Sequence, residues 1–61
     1  MINQFEYLFS FRDVEGDVYE SNTHETLQDA KAEAKVVREQ DGEIVETWKY
    51  VNGEFKGRPT I

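Results

Sequence analysis

Between Gln4 and Arg12 the side chains alternate strictly, with Phe5, Tyr7, Phe9 and Phe11 on one side and Glu6, Leu8, Ser10 and Arg12 on the other. A period of two is the signature of a strand that buries one face. Val14, Glu15 and Gly16 then suit a three-residue hairpin loop, with Gly16 in the left-handed position that a Cβ disfavours. That turn predicts a returning strand at about residues 17–22, with Phe11 opposite Tyr19 and Arg12 opposite Val18.

The period changes after Thr26. Leu27, Ala30, Ala34 and Val37 recur at helical spacing, so they share one face of a helix over about residues 27–40. Thr26 is a natural N-cap, Glu25 and Asp29 suit the positive end of the helix dipole, and Lys35 and Arg38 suit the other end. Gly42 is read as the left-handed residue that closes the helix. The small alanines allow the helix to approach a sheet closely, with sheet aromatics filling the gap.

Residues 43–51 are rich in β-formers, and Asn52-Gly53 is a preferred two-residue hairpin turn. It pairs Val51 with Glu54 and Tyr50 with Phe55, and it predicts a short last strand at about residues 54–58 followed by a tail over 59–61. The expected fold is a single α+β domain in the order ββαββ, an antiparallel sheet of two hairpins with one helix on one face. Regular alternation places Ile44, Trp48, Tyr50 and Phe55 on the face with Phe5, Phe9 and Phe11, beneath the helix. The opposite, uncovered face then carries Leu8, Val18, Val45 and Val51, which form a candidate homodimer surface, with Val36 on the outer side of the helix as a second apolar contact.

Size limits this fold. A domain of 61 residues buries only about 60% of the surface of its unfolded chain, and a core of that size rarely supplies more than ~3–5 kcal/mol without staples. The absence of cysteine removes disulfides, thiol chemistry and thiolate zinc sites. His24, the sole histidine, cannot build a histidine-rich metal site. Asp13, Glu15 and Asp17 alternate around Gly16 as in a calcium loop, but the glycine falls fourth and position twelve is His24 rather than a bidentate Glu. Neither a nucleophile turn nor a glycine-rich phosphate loop is present, and carboxylates such as Glu20 and Glu25 have little room for a water-excluding pocket. The expectation is a protein without enzymatic activity and without a metal or cofactor.

Charge adds the one functional signal. Up to Asp29 there are seven acidic residues (Glu6, Asp13, Glu15, Asp17, Glu20, Glu25 and Asp29) against Arg12 alone, which accounts for the whole net charge of −6. From Ala30 onward acids and bases balance. On the helix, Glu25, Asp29 and Glu33 recur every four residues as an acidic ridge. Asp13, Glu15, Asp17, Glu20, Glu25, Asp29 and Glu33 are therefore the candidate partner-binding residues. Such a surface suits a basic partner and disfavours direct nucleic-acid binding, since affinity for phosphates comes mainly from Lys and Arg. No apolar run has the length of a signal-peptide core or a membrane span, which reads as a cytoplasmic protein.

Three functions are open, the third and weakest being a small-ligand binder using Trp48 and Tyr50, aromatics that alternation assigns instead to the core. The first is an acidic binding module that docks on a basic, nucleic-acid-handling protein as a nucleic-acid mimic and inhibits or modulates it, by analogy of size and charge alone with small phage and mobile-element inhibitors. The second is a structural or assembly protein that homodimerises through the uncovered sheet face.

Overall fold

The computed structural model describes residues 2–61. It has strand β1 at Phe5–Arg12, β2 at Val18–Glu20, helix α1 at Leu27–Glu39, β3 at Glu43–Val51 and β4 at Glu54–Gly57. The four strands form one antiparallel sheet in the order β2-β1-β3-β4, so each hairpin contributes one central and one edge strand. Helix α1 packs on β1 and β3.

Both hairpin registers follow from their turns. Phe11 faces Tyr19 and Arg12 faces Val18 in the first, while Tyr50 faces Phe55 and Val51 faces Glu54 in the second. Gly16 has φ +90°, and Asn52 and Gly53 have φ 53° and 81°, the pair of positive values that a tight two-residue hairpin turn requires. β2 is shorter than residues 17–22. Beyond Glu20 the chain leaves the ladder and pairs irregularly with β1, through Ser21 on Phe9 and through a two-way backbone bridge between His24 and Tyr7.

Thr26 caps the helix, its hydroxyl accepting from the Asp29 amide at 3.1 Å. The other end differs from the sequence reading in one respect. The left-handed residue is Asp41, with φ 61°, and not Gly42. The Gly42 amide donates to the Val37 carbonyl at 2.9 Å and the Asp41 amide to the Arg38 carbonyl at 3.1 Å, a Schellman closure. Gly42 is required by space instead: a Cβ there would lie 2.6 Å from Val37 Cγ1, 2.9 Å from the Val37 carbonyl and 3.3 Å from the Arg12 carbonyl. The helix end is thus wedged against the end of β1.

The core is small. Phe9, Ala30 and Ala34 are fully buried, with Val37 and Ile61 nearly so, and Tyr7, Phe11, Leu27 and Ile44 pack around them. Methyl-sized side chains on the helix let Phe9 occupy the space between helix and sheet, as the alanine spacing implies. The segment after β4 is more than a tail: Ile61 is 7% exposed within the core cluster, and Arg38 Nη2 donates to its carbonyl at 2.7 Å. Residues 59–61 therefore close one end of the covered face.

The division of the sheet's two faces departs from the sequence reading, and a single residue is responsible. Along β1 and β3, Ser10 pairs with Glu46 but Phe11 pairs with Ile44, so Val45 is an extra residue in β3. A β-bulge of this kind puts the side chains on its two sides out of step. Ile44 stays with Phe11 under the helix, whereas Trp48 comes opposite Leu8 and Tyr50 opposite Glu6, on the face away from the helix. Phe55, opposite Tyr50, goes with them. Trp48, Tyr50 and Phe55 are not core beneath the helix but the surface of the uncovered face.

Candidate functional site

Six of the seven candidate acids fall into three places, and the seventh, Glu33, is held apart by its contacts. Asp13, Glu15 and Asp17 gather at the tip of the first hairpin, with carboxylate oxygens within 4.8 Å of one another. Asp13 holds that tip together: its Oδ1 accepts from the Glu15 and Asp17 amides, both at 3.0 Å, and its own amide donates to the Asp17 carbonyl at 2.9 Å. Its carboxylate is thus partly consumed by the turn, while Glu15 and Asp17 point outward and are exposed.

Glu25 and Asp29 lie elsewhere. His24 pairs with Tyr7, near the start of β1, whereas the hairpin tip begins at Asp13. At ~3.3 Å per strand residue those points are about 20 Å apart. The acidic residues of the first half of the chain thus lie toward different ends of β1 rather than in one patch. Glu20 belongs to a third place: it sits opposite Ser10 on the uncovered sheet face.

Glu33 is withdrawn from the acidic ridge by its contacts. Its Oε1 lies 2.6 Å from His24 Nε2 and accepts from the Asn22 amide at 3.2 Å, with only about a quarter of the side chain exposed. His24 and Glu33 together fasten the 21–26 segment to the helix. The Ser21 hydroxyl is similarly engaged, accepting from the Phe9 amide and donating to the Asn22 carbonyl, both at 2.9 Å.

The structure also adds acids that charge counting along the chain left out. Because the Gly42 turn abuts the end of β1, Asp41 and Glu43 come to the hairpin end of the molecule, where Glu43 reaches Arg12 at 3.7 Å. Arg12 is the only base of the first half, and it is engaged there. Adjacent placement of Asp41 and Glu43 follows from helix length and from the antiparallel return, neither of which a charge tally contains.

The four apolar residues of the candidate dimer face do not form one stripe. Leu8 is central on the uncovered face and Val18 lies on it opposite Arg12, at the edge. Val45 is the bulge residue itself, and Val51 faces Phe5, on the helix side of the sheet. In their place the uncovered face presents Leu8, Trp48, Tyr50 and Phe55. Tyr50 and Phe55 meet edge to face at 5.8 Å between ring centres. The Arg58 guanidinium lies 5.9 Å from the Trp48 ring and 5.8 Å from Phe55, and Arg58 Nη1 donates to Glu46 Oε2 at 3.0 Å. One signal for this surface was present in the sequence: Ile44 and Val45 are consecutive apolar residues that interrupt alternation, as at a bulge.

Compared with protein-family models, curated proteins and solved structures, the chain has no match in any of the three. Its function must therefore be argued from these residues alone. No helix among the described residues is long and apolar enough to cross a membrane.

Proposed function

We propose that this protein is a small, non-catalytic binding module whose acidic first half docks on a basic, nucleic-acid-handling protein and inhibits or modulates it. The observation that carries this reading is the uncompensated charge at the hairpin tip, where Asp13, Glu15 and Asp17 gather with no basic residue between them in the sequence. Carboxylates spaced on a turn engage the same lysines and arginines that a phosphate backbone would, and they raise the association rate by electrostatic steering. With a net charge of −6, the whole protein is attracted to such a partner before contact.

Affinity capture at increasing salt tests the reading. The expected partner is basic, its retention falls sharply between low and physiological salt, and changing Asp13, Glu15 and Asp17 together to Lys abolishes capture. Salt-insensitive capture that survives the triple change contradicts the reading.

A second reading, self-association through the uncovered sheet face, draws support from the aromatic side chains there, among them Phe55 at 49% exposure. Light scattering at high micromolar concentration decides it. A dimeric mass supports self-association and a monomeric mass rejects it.

A further inference from the structure

We infer that the uncovered sheet face is itself the contact surface for the basic partner, and that it takes a Lys or Arg side chain over Tyr50 against Glu6, with an apolar neighbour on Leu8 and Trp48. This rests on the docking reading above and assigns it a site.

The face already shows how it holds a cation. Arg58 stacks near Trp48 and Phe55 while its Nη1 bonds Glu46, so an aromatic pair and a carboxylate together seat one guanidinium. A comparable set of groups stands on the neighbouring positions. Glu6 lies directly opposite Tyr50, and Tyr50 packs on Phe55. Among the described residues, Glu6 makes no ion pair, whereas both bases on this face, Arg12 and Arg58, are engaged by Glu43 and Glu46. Lys49, the nearest base in sequence, belongs to the other face, with its ammonium 6.0 Å from the Phe5 ring and 5.7 Å from the Tyr7 ring. The Tyr50–Glu6 pair thus offers the chemistry that Arg58 uses next door, without a cation of its own.

Charge complementarity selects the occupant. The uncovered face carries Glu6 and Glu20 without ion pairs among the described residues and has no base without one, so a cationic segment gains there and an anionic one loses. A second copy of the chain would bring another net charge of −6 against the first. A segment that alternates basic and apolar side chains fits both components of the surface.

The probe is a short peptide of alternating arginine and leucine, with a control in which uncharged citrulline replaces arginine. The readouts are amide shifts in a two-dimensional NMR spectrum and the emission of Trp48, the only tryptophan. The expected result is saturable binding of the arginine peptide, with shifts centred on Leu8, Trp48, Tyr50 and Phe55, and much weaker binding of the citrulline peptide. Glu6→Gln, a change of charge at nearly constant shape on a half-buried residue, lowers affinity about tenfold, and Tyr50→Thr, which keeps strand propensity, does the same, with circular dichroism checking that both variants are folded.

Shifts confined to residues 13–17 or to the helix start, with Trp48 emission unmoved, overturn the inference. So does equal binding of the two peptides, or concentration-dependent shifts on the same face without peptide, which would make a second copy the occupant. The two levels separate in the capture experiment. A partner lost by the triple Lys variant but retained by Glu6→Gln and Tyr50→Thr overturns the sheet-face site and leaves the docking reading standing.

Discussion

The two faces of the sheet are built from the same strands yet have different chemistry. Beneath the helix, Phe9 is fully enclosed by Ala30, Ala34, Val37 and Ile61, which makes a dry core with a single large ring at its centre. On the other side Tyr50 packs on Phe55, Trp48 stands opposite Leu8 and beside Arg58, and among the described residues no helix lies over them. The covered side has Tyr7 and Phe11 packed around Phe9, yet three further aromatics, Trp48, Tyr50 and Phe55, are placed on the side that no helix covers. In a domain limited by its core, that allocation is costly unless the open face serves another purpose, and it is the physical reason to look for a partner there.

Substitutions on the two faces should therefore differ in kind. The largest effect is expected for Phe9→Ala, which empties the centre of the covered face. Truncating a buried Phe costs about 3–5 kcal/mol, comparable to all the stability a core of this size supplies. Circular dichroism should show a largely unfolded chain at room temperature. A cooperative melt close to wild type would mean that the covered face is not the stabilising one.

Gly42→Ala should come next. Its Cβ would meet Val37 Cγ1 at 2.6 Å and the Val37 carbonyl at 2.9 Å, and backbone cannot rotate away as a side-chain tip can. Overpacking of this kind costs about 1–3 kcal/mol, read as a lower denaturant midpoint. An unchanged midpoint would show that the helix end is not wedged against β1.

On the open face, Tyr50→Thr should cost less than Phe9→Ala, namely the aromatic pair with Phe55, about 0.5–1.5 kcal/mol, plus the partial burial of the ring, while removing binding to a basic peptide. Stability loss matching that of Phe9→Ala would erase the contrast between the faces. The smallest effect is expected at the hairpin tip. Glu15→Gln should raise the unfolding midpoint slightly at low salt by relieving carboxylate repulsion, and the gain should vanish at high salt.

Most of the fold was legible because local rules governed it. The positive φ values at Gly16, Asn52 and Gly53 fixed both hairpin registers, and Thr26 together with the Leu27, Ala30, Ala34, Val37 spacing placed the helix. What failed was each inference that required strict continuation of a pattern. Alternation is legible from Phe5 to Phe11, but in β3 it is broken at Val45, so Trp48, Tyr50, Val51 and Phe55 lie on the sides opposite to those that regular alternation predicts. A glycine just past a helix suggests left-handed closure, but Asp41 adopts the left-handed conformation and Gly42 is selected by crowding. The acidic residues are adjacent in the chain, but the sheet separates Asp13, Glu15 and Asp17 from Glu25 and Asp29, and His24 engages Glu33. Charge is a sequence property. Its distribution in space depends on topology, which no charge count contains.

The contrast between the faces depends on the side of the sheet to which Trp48 belongs. Nuclear Overhauser contacts from its indole protons test this directly. The account predicts contacts to the Leu8 methyls and to the Arg58 and Phe55 side chains, and none to the methyls of Ala30, Ala34 or Val37. Contacts from the indole to the helix alanines would contradict it, place the aromatics in the core, and remove the surface on which the proposed docking site stands.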